Sequence, residues 1–214
     1  YRDVRTLPIL LDPPELREEP NRRVMKNLQD GATNILFVGR CVPNKRIEDC
    51  LAAFYYFQQY VEPNSRFIHV GSSAGTEAYH AMLLTLVEDL GILRVEMPGA
   101  VPRDELNAYY RGAHVFLSMS EHEGFCIPLI ESMAHDLPVL AFAAAAVPET
   151  LDGAGILFRE KRFDLVAEMM GRLARDLPFR NAMLRGQRDR LARHEQRDLA
   201  AELRKHLAAL LKNG

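Results

Sequence analysis

The segment NILFVGRCVPNKRIEDCLAAFYYFQQY, residues 34–60, contains a short apolar run, a polar loop and a longer periodic stretch in that order. The run NILFVG at 34–39 is apolar and ends in glycine, which predicts a buried strand. In residues 46–60 the apolar side chains recur every three or four positions, which predicts an amphipathic helix. A buried strand followed by a helix is the repeating unit of a parallel α/β sheet.

The same unit returns along the chain. Five further apolar runs predict strands, at 66–71, 92–97, 114–120, 137–143 and 155–158. Helical patterns lie between them, at 76–90, 103–112 and 127–135. We expect Gly91 to end the first of these helices and Asp104 to cap the start of the second. Short strands that alternate with helices predict a Rossmann-like, doubly wound parallel sheet with helices on both faces.

The two ends of the chain differ from this α/β pattern. Residues 1–32 are predicted to be an entry segment or inter-domain linker, because Pro13 and Pro14 exclude a continuing helix there. Within it, residues 21–30 favour a short helix that ends at Gly31. We place the Rossmann-like domain at residues 33–160.

Residues 161–214 are predicted to be a helical extension of the same domain. Helical patterns occur at 164–177, 178–194 and 200–213. One apolar stripe is formed by Leu199, Leu203, Leu207, Leu210 and Leu211. Such helices either pack on the domain with a solvated charged face or present a basic surface to a membrane or another domain.

Composition narrows the class of protein. The chain has 214 residues, of which 48% are hydrophobic and 26% charged, which is typical of a globular domain. The net charge of −2 argues against nucleic acid as a partner. Neither a membrane-spanning run nor a leader sequence is visible, and the first residue is Tyr1, so we expect a fragment of a longer protein.

The number and spacing of the cysteines indicate whether the protein works in an oxidising or a reducing compartment. Cys41, Cys50 and Cys126 are odd in number and form no Cys-x-x-Cys pair. A disulfide framework is therefore not expected, and a reducing, cytoplasmic location is.

The loop that follows the first predicted strand contains Gly39, Arg40 and Lys45. Parallel sheets bind ligands beyond the carboxyl ends of their strands, and a helix N-terminus attracts anions. Two cations at such a place suit a diphosphate. The P-loop pattern is absent, and the alternative is that both cations are solvated loop residues.

The segment SEHEGFCIPLIESMA, residues 120–134, follows the fourth predicted strand and contains Glu123 and Glu131. Pro128 is typical of the first turn of a helix, which places both carboxylates near a helix N-terminus, where they stay ionised. Ionised carboxylates accept hydrogen bonds from hydroxyl groups, whereas a glycoside hydrolase needs one acid with a raised pKa. His122 is a proton carrier, a sugar contact or an ordinary surface residue.

Three ordered motifs together resemble one family: VGRCVPNK, SEHEGFCIPLIESMA and LPVLAFAAAAVPETLDGAGILF. They look like the C-terminal, nucleotide-sugar-binding domain of the retaining glycosyltransferases of family 4. Such enzymes have the GT-B fold, with the active site between two Rossmann-like domains. The resemblance covers roughly residues 33 to 160.

The resemblance implies a role for each matching residue. Arg40 and Lys45 would grip the donor diphosphate, and Glu123 would contact the hydroxyl groups of the donor sugar. These three are the candidate catalytic residues. Glu131 would bind the ribose hydroxyls. The remaining candidate donor-binding residues are Gly39, Val101, Gly124, Phe125, Cys126 and Ile127.

The implied reaction is the transfer of a hexose, mannose or glucose, from a GDP- or UDP-sugar to a glycan or lipid-linked acceptor with retention. No metal is expected to be required, since the cations neutralise the diphosphate. An N-terminal Rossmann domain would supply the acceptor site, so this chain alone should be inactive. We expect the full-length protein to work in the cytoplasm, with peripheral association at the inner face of the membrane. The alternatives are a non-catalytic nucleotide-binding domain and a GT-B-fold sugar-nucleotide epimerase.

The chain departs from the family pattern at three places. Cys126 stands where members usually have glycine, and Arg46 stands where glycine usually follows the lysine. The small-residue run 143–146 is alanine instead of the usual glycine-rich stretch. These departures leave every proposed donor ligand in place but change the expected shape of the pocket.

Overall fold

The structure, a computed structural model, describes Leu16, residues 18–196 and residues 199–212. The extended conformation expected for the first part of the entry segment therefore lies mostly outside the described residues. Its last part forms a helix, α1 (Arg22–Leu28), whose N-cap Asn21 accepts hydrogen bonds from the backbone N–H groups of Arg23 and Val24. This helix packs against the body of the domain.

Six parallel strands form one sheet in this part of the chain. They are β1 (Thr33–Val38), β2 (Ser65–Val70), β3 (Val95–Gly99), β4 (Val115–Ser118), β5 (Val139–Phe142) and β6 (Ile156–Phe158). Their spatial order is β3-β2-β1-β4-β5-β6. This order confirms the predicted Rossmann-like, doubly wound sheet.

Helices cover the sheet in two groups. The other helices of the described residues are α2 (Ile47–Tyr56), α3 (Glu77–Leu90), α4 (Arg103–Gly112), α5 (Ile127–Ala134), α6 (Val147–Leu151), α7 (Phe163–Arg175), α8 (Leu177–Glu195) and α9 (Leu199–Lys212). Helix α2 packs against α3 and α7, whereas α4 packs against α1 and α5 packs against α6 and α8. Right-handed crossovers place these two groups on opposite faces of the sheet.

The central strands are buried because helices cover both of their faces. Ile35 of β1 is fully buried and pairs in register with Phe67 of β2 and Val115 of β4. His69 of β2 is buried, and its Nε2 atom lies 2.9 Å from the carbonyl oxygen of Gly39. Burial lowers the pKa of His69. The apolar runs in the sequence thus marked the core correctly.

The strand predicted at 92–97 is displaced by three residues at its start, since β3 begins at Val95. Helix α3 ends as predicted at Gly91, which has a φ of 62°, but the cap includes Ile92, whose N–H donates to the carbonyl of Val87 at 3.1 Å. This Schellman-type ending delays the strand. Pro98 lies inside β3 because an edge strand leaves one side of its backbone unpaired.

Two predicted helix ends and one connection are corrected. Helix α4 begins at Arg103 with Pro102 as its N-cap, and the Asp104 carboxylate instead accepts from the side chain of Asn21 at 2.9 Å. Helix α1 ends at Leu28, with Gln29 rather than Gly31 as the residue that caps it. The small-residue run after β5 leads into α6, a short helix that the sequence pattern did not predict.

The three C-terminal helices were predicted, and α7 packs against α2. The apolar stripe of α9 is less simple, since Leu203 and Leu207 are exposed. The other leucines of that stripe have side chains outside the described residues. Among the described residues, no helix is both long and apolar enough to span a bilayer.

Gly71 allows the loops after β1 and β2 to touch. A Cβ atom at this position would lie 1.8 Å from the carbonyl oxygen of Gly39, which is far inside van der Waals contact. The same oxygen accepts the hydrogen bond from His69 and cannot move freely. The glycine is therefore required by this close approach of two backbones.

We expect Gly71→Ala to lower the free energy of unfolding by about 2–3 kcal/mol, because the backbone must shift to accommodate the methyl group. Urea unfolding monitored by circular dichroism measures this change. Gly186→Ala is the matched control, since Gly186 lies inside α8 with open space around the added methyl. This control should raise the free energy of unfolding by up to about 1 kcal/mol. Equal effects of the two substitutions would contradict the close-approach explanation.

Candidate functional site

The carboxyl ends of β1 and β4 are neighbours in the sheet. The chain continues from β1 toward one edge and from β4 toward the other, so the loops that follow these two strands diverge. The space between diverging loops is where open α/β sheets bind their ligands. Most of the residues singled out in the sequence belong to these two loops.

The loop after β1 begins at Gly39, whose N–H donates to the carbonyl of Val70 at 3.0 Å. Arg40 follows and is exposed, and its side chain makes no hydrogen bond or ion pair within the described part of the chain. A 3₁₀ turn, Pro43–Lys45, then leads into α2. The guanidinium of Arg40 is thus accessible to a ligand.

Lys45 is engaged with the neighbouring loop. Its Nζ atom lies 2.6 Å from Oε1 of Glu123, and the side chains of Lys45 and Glu123 are 19% and 8% exposed. Asn44 strengthens the junction, since its carbonyl accepts from the N–H of Glu121 at 3.0 Å and its side chain donates to the carbonyl of His122 at 3.2 Å. The loops after β1 and β4 therefore form one unit. Asn44 was missed because nothing in the sequence shows which loop it faces.

The start of α5 and the three residues before it contain a run of backbone N–H donors. The N–H groups of Gly124, Phe125, Cys126 and Ile127 have no acceptor within the described residues. Pro128, as predicted, stands in the first turn. Unpaired N–H groups at a helix start and the helix dipole favour an anion. Together with Arg40 and Lys45, this arrangement can hold a charged group such as a diphosphate.

Two residues stand where the family pattern usually has glycine, and both have a left-handed backbone conformation. Arg46 has a φ of 52° and Cys126 a φ of 64°. For a residue with a Cβ atom this conformation costs about 1–2 kcal/mol, which explains why glycine suits both positions. Burial raises the pKa of the Cys126 thiol well above its usual range, and the nearby carboxylate of Glu123 adds to this effect. The thiol therefore stays protonated and packs as an apolar group.

Glu131 is held from α4. The Glu131 residue is only 8% exposed. The Oε1 atom of its carboxylate lies 2.6 Å from Nη1 of Arg103, and the Oε2 atom accepts a hydrogen bond from the hydroxyl of Tyr110 at 2.7 Å. Two donors and a positive charge replace the water contacts that this carboxylate loses on burial. The sequence places Arg103 after the third strand but does not reveal this contact, and it gives no sign of the role of Tyr110.

Tyr110 in turn stacks on His135, with ring centroids 5.2 Å apart and an interplanar angle of 13°. Burial, with the charges of Arg111 and Arg103, lowers the pKa of His135 to about 4. Its Nε2 atom is buried and has no hydrogen-bond partner in the described region. His135 is therefore a neutral packing residue behind Glu131.

A further cluster of ion pairs stabilises the two loops. It is formed by Arg46, Asp49, Glu121 and Lys161. Lys161 lies 2.7 Å from Asp49 and 2.6 Å from Glu121, and Arg46 lies 2.9 Å from Asp49. The cluster connects α2 to the loops after β4 and β6. Lys161 was missed because it follows the last strand and carries no motif.

The remaining candidate residues occupy less defined positions. Val101 is half-buried between β3 and α4 and packs against the core, while Phe125 is half-buried and Ile127 is 37% exposed. His122 is exposed. No group of three metal-ligating side chains occurs among the described residues.

Comparison with known proteins identifies relatives. A family model described as "Glycosyl transferases group 1" matches residues 18–190. Lipopolysaccharide 1,2-N-acetylglucosaminetransferase of Salmonella typhimurium is 29% identical over 141 residues, which are 63% of this chain and 37% of that protein. O-antigen chain mannosyltransferase B of Escherichia coli is 25% identical over 134 residues, 62% of this chain and 34% of that protein. The chain thus spans little more than a third of these two relatives.

A solved structure agrees with the fold. The Anabaena protein HepE in complex with UDP-glucose superposes with a TM-score of 0.71 at 18% identity, over 92% of this chain and 54% of that protein. This likeness confirms the fold class. The more specific prediction of family 4 and the roles of single residues stay predictions.

The left-handed conformation of Cys126 predicts an order of stability. Cys126→Gly should be more stable than Cys126→Ala by about 1 kcal/mol, because both lose the thiol and only alanine keeps a strained Cβ atom. Thermal unfolding of the two variants measures the difference. At Ala81, which is exposed inside α3, the order should be reversed, so that Ala81→Gly lowers stability by about 1 kcal/mol. Finding alanine better at both positions would contradict the strain at Cys126.

The lowered pKa of His135 predicts a pH dependence of stability. Between about pH 6.5 and pH 4 the unfolded chain binds a proton at this histidine that the folded chain does not, so stability falls as the pH falls. His135→Phe keeps a ring against Tyr110 and removes the titrating group. Between pH 7 and pH 5 the variant should therefore lose about 1–2 kcal/mol less free energy of unfolding than the parent, after allowance for partial exposure. Parallel pH profiles would show that His135 is not responsible.

Proposed function

The chain belongs to the group 1 glycosyl transferase family, and from this we propose that it is the donor-binding domain of a hexosyltransferase. The reaction moves a hexose from a nucleotide diphosphate sugar to a glycan or lipid-linked acceptor. One observation carries the proposal: the loops after the neighbouring strands β1 and β4 contain Arg40, Lys45 and four N–H groups that have no acceptor among the described residues, and Lys45 joins the two loops through Glu123.

The diphosphate would lie against the start of α5. Arg40 offers two donors in a fixed plane and Lys45 offers a point charge, and both complement the N–H groups of residues 124–127. As the bond to the sugar breaks, negative charge grows on the diphosphate, and these fixed donors stabilise it without reorganisation. We propose that this arrangement replaces a divalent metal ion.

The carboxylates would bind hydroxyl groups on either side of the diphosphate. Glu123 would accept from the donor sugar, and its ion pair with Lys45 holds it in one orientation. Glu131 would accept from the ribose. Both contacts position the donor relative to the acceptor, which lowers the entropic part of the barrier.

We infer retention of the anomeric configuration by front-side displacement. A double displacement requires a carboxylate nucleophile beside the anomeric carbon, and Glu123 is already paired with Lys45. In the front-side reaction the departing diphosphate itself accepts the proton of the acceptor hydroxyl. Arg40 and Lys45 would stabilise it as it does so.

The sugar and the base are further parts of the proposal. The two curated relatives carry names that specify N-acetylglucosamine and mannose, and the structural neighbour contains UDP-glucose. We propose mannose or glucose, carried by GDP or UDP. Because lipopolysaccharide and O-antigen appear in the relatives' names, a glycan or lipid-linked acceptor fits best.

Catalysis by this half would need a second domain. Among the described residues, the loops after β1 and β4 line the crevice. We propose that an N-terminal Rossmann domain provides the acceptor site and excludes water from the reacting centre. The isolated chain should bind nucleotide and transfer no sugar.

Calorimetric titration with UDP and with GDP, in the presence of EDTA, tests the proposal. One nucleotide should bind, and Arg40→Gln should weaken its binding about tenfold, since a charge-assisted contact to phosphate is lost. Arg185→Gln is the matched control, because Arg185 is exposed on α8, away from the crevice, and should leave binding unchanged. Absence of binding at millimolar nucleotide, or binding only after a divalent metal is added, would contradict the proposal.

A further inference from the structure

Glu131 is contacted by two donors from one helix. Arg103 and Tyr110 are seven residues apart on α4, which is two turns, so both side chains lie on the same face. Arg103 approaches Oε1 at 2.6 Å and Tyr110 approaches Oε2 at 2.7 Å. Each oxygen of the carboxylate therefore has its own protein donor.

We propose that Arg103 and Tyr110 are positioning residues that hold Glu131 in one orientation, so that the site selects ribose over deoxyribose. This inference rests on the proposed nucleotide-sugar function. It deepens that function by naming what makes Glu131 selective. Neither residue follows from a motif in the sequence.

The acceptor capacity of the carboxylate supports this role. An ionised carboxylate has about four acceptor positions, two on each oxygen. Arg103 uses one position on Oε1 and Tyr110 uses one on Oε2, which leaves one on each oxygen. Two free positions on one planar group match the two adjacent hydroxyls of a ribose. A deoxyribose leaves one of them unfilled.

The charge and burial of the group point the same way. The Glu131 residue is only 8% exposed, and a buried carboxylate requires an opposite charge, which Arg103 supplies. Without Arg103 the Oε1 atom loses the donor that fixes its direction, and the carboxylate no longer presents both oxygens to the diol. Selection of a diol therefore depends on the arginine.

Tyr110 is itself fixed. Its ring is fully buried and lies between His135, at 5.2 Å, and Phe116, at 6.4 Å between centroids. Burial raises the pKa of its hydroxyl well above the usual value, so it stays a donor. A side chain confined in this way has little freedom to lose when it orients Glu131.

Calorimetric titration of the 214-residue chain with UDP, GDP, 2′-deoxy-UDP and 2′-deoxy-GDP tests the inference. The parent should prefer the ribonucleotide by about tenfold, because a buried acceptor is left unpaired by the deoxy analogue. Arg103→Gln and Tyr110→Phe should each reduce this preference, Arg103→Gln to about twofold or less. Arg103→Lys retains the charge and should restore most of it. Arg111→Gln, on the same helix and exposed, should leave the preference unchanged.

Inorganic pyrophosphate separates positioning from a general folding defect. It reports on Arg40 and the N–H groups, so its affinity should stay constant in the variants while the ribose preference falls. If Arg103→Gln does not fold, Tyr110→Phe and Arg103→Lys still test the effect, since each removes or alters one donor.

The outcomes distinguish two failures. If the parent chain binds neither UDP nor GDP, the proposed function fails and the inference with it. If a nucleotide binds but the deoxy analogue binds equally well, the donor function stands and the inference is overturned. An undiminished preference in both Arg103→Gln and Tyr110→Phe overturns it as well.

Discussion

The ion pair between Lys45 and Glu123 joins two loops whose residues are 78 positions apart in the chain. The pair forms only because β1 and β4 lie side by side, which follows from the reversal of strand order at that point of the sheet. The two hydrogen bonds of Asn44 fix the same junction in register. The position of the α5 N-terminus relative to Arg40 depends on this junction, and so does every contact proposed for the diphosphate.

Local signals in the sequence were sufficient for the sheet and for placing the candidate residues in two neighbouring loops. Apolar runs that end in glycine mark the strands, and cations after β1 with acids after β4 predict the ligand edge. Local signals gave the wrong structure where one residue suits two different roles. Ile92 is apolar and was assigned to a strand, yet its N–H completes the cap of α3, and Asp104 suits an N-cap but contacts Asn21 instead. Contacts between elements, such as Arg103 with Glu131, depend on helix register and could not be read from either segment alone.

Backbone strain and ionic contacts occur together in these loops. Arg46 has a conformation that favours glycine, and the ion pairs of its guanidinium with Glu48 and Asp49 offset part of that cost. Cys126 has the same kind of conformation and gains burial of its thiol in return. In both cases the side chain makes a contact that glycine cannot make, and this contact offsets part of the cost of the left-handed backbone conformation. The shape of the N–H run can thus be kept although neither glycine is present.

The charges of the proposed donor site indicate that this chain should bind its ligand weakly. Each of the two buried carboxylates has its own cation, Lys45 for Glu123 and Arg103 for Glu131, so these four groups nearly cancel. Lys45 still offers N–H donors to a diphosphate, but the net positive charge there comes from Arg40 and the helix N-terminus, and Arg40 is exposed to screening by solvent and salt. Closure of a second domain over the crevice would exclude water and strengthen every one of these interactions. The same closure that creates an acceptor site would therefore also convert a weak nucleotide site into a strong one.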